Sequence, residues 1–311
     1  GADGDVSFCQ QGYLSLASHE GKKVLAQNHA TQTAAGADII YMHPPELVAR
    51  FPWIDFDGIA AGCFGASGEG WIDGWSLMNV LRREARKNGA VWLNDEVTGL
   101  EVTNNTVEAV RLAGGGKITC GHVVNAAGIA ARDIAAMAGI DLPVVPAKRY
   151  VFAFDCRETT PAMTAGPLMV DPSGFYVRPE GTGFICGLSP KPGEEPEPCG
   201  FDVDYSWFEE RIWPLMAARI PAFEAIKLTG AWTGYYAMNT FDQNAICGPH
   251  PEIANFYFAN GFSGHGLQQT PGIGRAIAEL IGYGSYRSLD LHRFGFERIA
   301  ANSPAAEVHV I

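Results

Sequence analysis

The chain has 311 residues, an apolar share of 47% and a formal net charge of −12. The acidic balance argues against nucleic-acid binding, because a negative surface repels phosphate backbones. No run of 18 apolar residues occurs, so no membrane-spanning helix is expected. The chain has 37 glycines. A protein of this length with the usual glycine share of ~7% would have about 22.

The seven cysteines are odd in number and contain no Cys-x-x-Cys pair. This pattern predicts reduced, mostly buried thiols in a reducing compartment, and neither a disulfide framework nor a zinc site. The eight histidines include no pair at i, i+4, so a histidine-based metal site is not expected either.

The first half of the chain mixes predicted helices and strands. A strand is expected at residues 12–17 and a short proline-bounded helix at 44–52. A longer helix is expected at 75–87, with Leu77, Val80, Leu81 and Ala85 facing inward. The remaining predictions are a helix at 20–33, strands at 91–94, 96–102, 107–112 and 117–125, and a helix at 129–138.

From residue 143 onward the pattern changes to apolar–polar alternation. Residues 149–154, 174–179 and 183–187 alternate with a period of two and are separated by turn residues. This predicts an antiparallel sheet. A proline-rich surface loop at 190–200, a helix at 205–220 and a strand at 227–236 are expected to follow.

A glycine-rich stretch at residues 261–274 lies between a strand-like run at 256–259 and a helical pattern. Ile273, Ile277, Leu280 and Ile281 share one face of that helix. Glycine permits positive φ and lets backbone approach a ligand, and the N–H groups at a helix start attract electron-rich atoms. The alternative interpretation is a tight turn without a ligand.

Residues 232–281 resemble the C-terminal flavin loop of FAD-dependent amine and amino-acid oxidoreductases, the group of D-amino-acid oxidase, glycine oxidase and sarcosine oxidase. Segments 234–236, 239–244, 248–251 and 261–274 resemble more closely the branch with the mitochondrial FAD-dependent oxidoreductase linked to respiratory complex I assembly. The resemblance implies an α/β fold, namely a partial glutathione-reductase-type FAD-binding domain plus an antiparallel-sheet substrate domain. It assigns 1–35, 60–145 and 235–311 to the FAD-binding domain, and 36–59 and 146–234 to the substrate domain.

The resemblance also implies the site residues. It places His265, Tyr236 and Gln268 at the catalytic centre. It implies non-covalent FAD contacts from Val97, Ala126, Ala127, Gly128, Gly234, Gly261, Phe262, Ser263, Gly264, His265, Gly266, Leu267 and Gln268. Three alternatives stay open: a structural His265, a core position for Tyr235 and Tyr236, and close packing alone at residues 126–128. No metal is expected.

Two departures from the family pattern concern substrate and cofactor attachment. Gln268 stands where monomeric sarcosine oxidases have Lys, and Tyr236 stands where D-arginine dehydrogenases have Arg. Arg149 or Arg178 is the candidate replacement for a substrate carboxylate partner. Tyr235 stands where sarcosine oxidases have the cysteine that attaches flavin. Glu69 and Trp71 either line a pocket or are a solvated carboxylate and a core ring.

No GxGxxG phosphate loop follows a strand in this sequence. The chain therefore resembles a family member without its N-terminal portion, and we expect it to be inactive and to bind FAD weakly or not at all. The complete protein is expected to be a bacterial cytoplasmic oxidoreductase that oxidises a C–N bond of a small amine or N-alkyl amino acid. Its electron acceptor is left open. The alternative is a non-catalytic assembly factor for a respiratory complex.

Overall fold

The structure is a computed structural model that describes residues 5–191 and 193–305. These residues form two compact units. The first contains residues 5–89 and 148–234, and the second contains residues 90–147 and 235–305. Within the described residues, no helix has the length and apolarity that a membrane span requires.

The elements follow one another in a mixed order, which confirms the predicted α/β class. The strands are β1 (Tyr13–Ala17), β2 (Ile39–Met42), β3 (Ala61–Gly65), β4 (Val97–Thr103), β5 (Thr106–Leu112), β6 (Lys117–Thr119), β7 (Val123–Asn125), β8 (Val144–Cys156), β9 (Leu168–Val170), β10 (Phe175–Glu180), β11 (Gly183–Leu188), β12 (Ile226–Asn239), β13 (Ile246–Pro249) and β14 (Phe256–Asn260). The α-helices are α1 (Lys22–Ala34), α2 (Pro44–Arg50), α3 (Gly74–Lys87), α4 (Ala131–Ala136), α5 (Pro161–Thr164), α6 (Trp213–Arg219), α7 (Gly266–Tyr283) and α8 (Glu297–Ala300).

The first unit is built on a sheet with the strand order β12-β8-β11-β10-β9-β1-β3-β2. The pairs β8–β11, β11–β10 and β10–β9 are antiparallel, as the alternating pattern predicted, whereas β1 and β9 run parallel. One face carries a core rich in aromatic side chains, among them Phe152, Phe154, Phe175 and Phe223. A π-helical segment, Trp207–Ile212, leads into α6 and packs on this core.

The second unit contains two three-stranded sheets. One has the order β13-β14-β7, in which β14 and β7 run parallel, and the other has the order β4-β5-β6. Val107, Leu142, Ile246, Phe256 and Phe258 are buried in its main core. The predicted strand, glycine loop and helix at the C-terminal side are confirmed, because β14 is followed by α7.

Residues 91–94 do not form the predicted strand. Val91 is 82% exposed and Leu93 is 54% exposed. A strand needs a hydrogen-bonded neighbour, and in the described residues β7 pairs with β14 alone. The apolar run belongs to none of the sheets of the described residues, so its composition alone did not make it a strand.

Three other predicted elements differ in extent or burial. The stretch 117–125 is divided into β6 and β7, and α4 ends at Ala136 after a 3-10 turn at Gly128–Ala130. Helix α3 forms as predicted, but none of its residues is fully buried and Leu81 is 44% exposed. Its amphipathic pattern therefore predicted the helix correctly and its burial wrongly.

The compact units divide the chain differently from the expected domains. Residues 1–35 and 60–89 were expected in the FAD-binding domain, yet the described part of these segments belongs to the unit with the eight-stranded sheet. The division falls inside β8 and β12, close to the expected boundaries at 146 and 234. The assignment of cofactor and substrate roles to the two domains stays a prediction.

All seven cysteines lie in the described part of the chain and are free thiols, as predicted. Cys63, Cys186 and Cys247 are buried, and Cys199 is exposed. Among the described residues no cluster of His, Cys, Asp and Glu has the composition of a metal site.

A buried ion pair connects the β12–β13 turn to α8. Arg298 Nε lies 2.7 Å from Asp242 Oδ2, and Nη2 donates to Asp242 Oδ1 at 2.9 Å. Burial raises the pKa of Asp242, but hydrogen bonds from Arg298 and from the Ala305 N–H outweigh it, so this pKa is lowered. Arg298 also donates to backbone oxygens of residues 244, 245, 294 and 295.

We expect Arg298→Met to lower the free energy of unfolding by about 3–5 kcal/mol, because it leaves a buried carboxylate unpaired. The matched control is Arg275→Met, since Arg275 is 70% exposed and its pair with Glu279 contributes only ~0–1 kcal/mol. Urea unfolding of both variants measures the difference. Similar losses in the two variants would contradict the assignment.

Candidate functional site

Most of the predicted cofactor residues follow the carboxyl ends of two neighbouring parallel strands, β7 and β14. In the β14–β7 pair, Phe256 lies opposite Val123 and Phe258 lies opposite Asn125. The loops that follow, 126–128 and 261–265, therefore leave the same edge of the sheet. Ligands of α/β proteins bind at this edge.

Two buried asparagines occupy these strand ends. Asn125 donates from Nδ2 to the Ala131 carbonyl at 2.9 Å and accepts from the Ala127 N–H at 3.2 Å. Asn260 donates to Asn125 Oδ1 at 3.4 Å, and its own Oδ1 is buried without a hydrogen-bond partner among the described residues. Buried polar atoms are normally paired, so this oxygen indicates a place for a donor. Sequence analysis assigned neither residue, although an Asn at the end of each apolar strand was the available signal.

The turn 261–265 has an unusual backbone that its own hydrogen bonds stabilise. Gly261, Ser263 and Gly264 have φ values of 65°, 51° and 97°. The Ser263 N–H donates to the Ala237 carbonyl at 3.1 Å, and Ser263 Oγ accepts from the Asn239 N–H at 3.0 Å. Ser263 thus fastens the turn to β12, a structural role that the sequence did not predict.

Tyr236 lies against this turn. A Cβ added to Gly264 would come within 2.6 Å of Tyr236 Cε2, so the ring packs directly on the glycine backbone. Tyr236 is 37% exposed, which favours a surface-lining position over a core position. Gly264, His265, Leu267 and Gln268 are also exposed.

Helix α7 begins at Gly266, after His265, and no described side chain caps it. The first N–H groups of an α-helix have no partner within the helix. Together with the partial positive charge of the helix end, they form a region suited to an electron-rich ligand group. The structure therefore brings Tyr236, Gly264, His265 and the start of α7 together.

Other predicted residues lie further along the same unit or at its boundary. Val97 begins β4 and is half-buried opposite Leu112. Ala126, Ala127 and Gly128 follow β7, and Gly128 has φ 58° with open space around an added Cβ. Gly234 lies in β12, and a Cβ added to it would also meet no atom within 4 Å. Gly261 is buried, and Gly266 packs against the Phe262 side chain. Contacts of these residues with a cofactor stay predictions.

The two arginines considered for a substrate carboxylate lie in the first unit. Arg149 Nη1 is 2.6 Å from Glu195 Oε2 in the loop at 190–200. Arg178 contacts Glu180 and lies over the Trp71 ring at 4.9 Å. Glu69 and Trp71 are both half-buried, so neither is a fully solvated or a fully buried residue.

Comparison with known proteins gives consistent matches. The family model described as "FAD dependent oxidoreductase" matches residues 2–280. FAD-dependent oxidoreductase domain-containing protein 1 of Bos taurus is 40% identical over 337 residues, which covers 97% of this chain and 68% of that protein. Human mitochondrial dimethylglycine dehydrogenase is 27% identical over 93% of this chain and 36% of its own length.

Among solved structures, L-proline dehydrogenase from P. horikoshii is similar with a TM-score of 0.85 and 28% identity. The similarity covers 96% of this chain and 79% of that protein. This chain spans about two thirds of the length of its Bos taurus relative.

We expect Gly264→Ala to destabilise the protein by about 1–3 kcal/mol, because alanine is strained at positive φ and its Cβ meets the Tyr236 ring. The control is Gly282→Ala in α7, where an added Cβ meets no atom within 4 Å. That change should stabilise by about 0.5–1 kcal/mol. Thermal unfolding of both variants, and of Gly264→Ala combined with Tyr236→Ala, separates the clash from the backbone strain. A neutral Gly264→Ala would show that the turn is not fixed.

Proposed function

Since this chain belongs to the family of FAD-dependent oxidoreductases, we propose that the complete protein oxidises a C–N bond of an amine or N-alkyl amino acid. One observation carries the proposal. Hydrogen bonds of Ser263 attach the glycine turn 261–265 to β12, and the uncapped start of α7 is exposed beside Tyr236. Similar proteins are named for dimethylglycine and for L-proline, and in both compounds the nitrogen carries alkyl substituents.

The residues present fit FAD at two places. The N–H groups at the start of α7 and the 261–265 turn could contact the flavin ring. The loops after β7 and β14, together with the unpaired Asn260 Oδ1, could contact a hydrogen-bond donor of the same ligand. The 311 residues contain no phosphate loop of the family pattern, so the residues named here supply only part of a binding site. We propose non-covalent binding, because Tyr235 stands where a covalent attachment would need cysteine.

A bound FAD would supply the hydride-accepting chemistry for the carbon that bears the nitrogen. The chain contributes orientation and electrostatics. The free N–H groups of α7 would stabilise negative charge at the reduced ring, an effect that preorganised donors provide without reorganisation. His265, at the helix start, would add a hydrogen bond, and the Tyr236 ring would limit how a substrate approaches.

A second candidate is a flavoprotein that assists assembly of a respiratory complex without turnover. It is favoured by the absence of Lys or Arg at Gln268 and Tyr236, where related enzymes hold a substrate carboxylate. We also propose a bacterial cytoplasmic location and little activity of the 311-residue chain by itself.

Anaerobic mixing tests the enzymatic proposal. The complete protein with FAD, given L-proline, N-methylglycine or N,N-dimethylglycine, should lose its absorbance near about 450 nm as the flavin is reduced. The 311-residue chain alone should show little of this absorbance. No bleaching with any amine, together with co-purification of membrane-complex subunits, would favour the second candidate.

A pair of variants tests the role of the turn. His265→Ala should slow anaerobic flavin reduction about tenfold or more, because it removes a donor near developing negative charge. Gln269→Ala, an exposed residue of the same helix, should stay within about twofold of the unchanged protein. Equal rates in the two variants would assign His265 a structural role.

A further inference from the structure

The turn between β13 and β14, residues 250–255, is closed by the side chain of His250. His250 Nδ1 accepts hydrogen bonds from the Glu252 N–H at 3.1 Å and from the Ile253 N–H at 3.0 Å. The His250 N–H also donates to the Phe256 carbonyl at 2.7 Å. A ring nitrogen that accepts a hydrogen bond carries no proton, so this geometry requires a neutral imidazole with its proton on Nε2.

Two aromatic side chains pack against this imidazole. Its ring centre lies 5.1 Å from that of Phe296 and 5.9 Å from that of Phe258. The two phenylalanine rings stack on each other at 5.0 Å, with an angle of 11° between their planes. Phe258 belongs to β14 and is buried, whereas Phe296 directly precedes α8. His250 therefore connects the turn after β13 to the start of α8.

Two carboxylates act on His250, and burial opposes them. Burial lowers the pKa of His250 below its ordinary value of 6.5, whereas Glu252 of the turn and Glu297 of α8 raise it. The third element packed on the ring, β14, presents the uncharged Phe258. Since the net shift is downward, the unfolded chain takes up a proton at a higher pH than the folded chain does. The stability that neutral His250 contributes is thus complete above about pH 6.5 and decreases as the pH falls below it.

The start of α8 is linked to the candidate site through Arg298, two residues after Phe296. Arg298 donates to both carboxylate oxygens of Asp242, at 2.7 Å and 2.9 Å. Asp242 Oδ1 accepts from the Asn239 side chain, and the Asn239 N–H donates to Ser263 Oγ in the glycine turn. The pKa of Asp242 is lowered from its ordinary value of 3.8, so this carboxylate stays charged while the imidazole takes up its proton.

We propose that His250 is an acid-sensitive contact, whose protonation opens the turn 250–255, frees the start of α8 and destabilises the glycine turn 261–265 of the candidate site. A protonated Nδ1 carries a hydrogen, so it repels the two N–H groups from which it accepts in the neutral form. All the contacts involved lie in the second unit. The proposal goes beyond the proposed function, because none of these contacts involves a flavin or a substrate.

Amide hydrogen exchange of the 311-residue chain, measured by NMR, tests the proposal at three N–H groups. The Ile253 N–H donates to His250 Nδ1, the Ile299 N–H to the Phe296 carbonyl and the Ser263 N–H to the Ala237 carbonyl. After correction for intrinsic rates, exchange at all three should be about threefold or more faster at pH 5 than at pH 7. Amides of β10 and β11 in the first unit are the reference and should change less.

Three results of this experiment count against the proposal. The absence of a pH effect at Ile253 would overturn it. An equal change in the reference amides would show a general loss of stability and would contradict a local contact. An effect at Ile253 without one at Ser263 would overturn the link to the candidate site.

A pair of variants separates His250 from the other histidines. His250→Asn places a carbonyl oxygen where Nδ1 lies, so the two N–H groups keep an acceptor that takes up no proton in this pH range. Exchange at Ile253 should then differ by less than about twofold between pH 7 and pH 5. The matched control is His19→Asn, at an exposed histidine of the first unit, which should keep the full response. A full response in His250→Asn would contradict the assignment.

Glu297→Gln keeps the proposal testable if His250→Asn does not fold. It removes a carboxylate that raises the pKa of His250, so the folded protein should take up the proton at a still lower pH. The difference from the unfolded chain then widens, and the ratio of Ile253 exchange at pH 5 to that at pH 7 should rise above its value in the unchanged protein. A ratio that does not rise would overturn the role of His250.

Discussion

Asn239 is the residue on which the geometry of the candidate site depends. Its backbone N–H donates to Ser263 Oγ at 3.0 Å, and its side chain donates to Asp242 Oδ1 at 2.8 Å and to the Asn244 carbonyl at 2.6 Å. Asp242 pairs in turn with Arg298 of α8. One continuous network thus runs from the buried arginine to the glycine turn. Each member is buried or half-buried, so removal of one leaves unpaired polar groups that cost about 1–3 kcal/mol each.

This network explains how the turn combines strain with an open surface. The positive φ values at Gly261, Ser263 and Gly264 are held by contacts on the β12 side. The opposite side, at the start of α7, carries exposed residues and an uncapped helix end. Donors that are fixed before a ligand arrives stabilise charge without reorganisation, which is the electrostatic requirement of the proposed chemistry.

Recognition of a substrate is the part of the function in which this chain departs from its family pattern. The positions where related enzymes have a cation near the turn are Gln268 and Tyr236 here. Arg178 is largely buried, with a side chain that is 16% exposed, and its Cζ lies 4.9 Å from the centre of the Trp71 ring. The sheet supplies these properties because alternation places Arg178 on the face opposite the aromatic core.

The sequence alone determined the α/β class, the strand, glycine turn and helix at the C-terminal side, and the alternating strands β8, β10 and β11. These features depend on local periodicity and glycine content, which are visible in the chain itself. It also identified the family, because the motif residues at 234–274 are specific. The amphipathic pattern also predicted helix α3, and an apolar run is visible at residues 91–93. Neither pattern showed that these residues are exposed.

Only the tertiary structure decided what these segments contact. Whether residues 91–94 form a strand depends on a neighbouring strand, and whether α3 is buried depends on a packing partner, neither of which local pattern contains. The roles of Asn260, Ser263 and Asn239 arise from hydrogen bonds across loops that are distant in sequence. The contact of Arg178 with the Trp71 ring joins residues more than one hundred positions apart, and no local pattern contains such a contact.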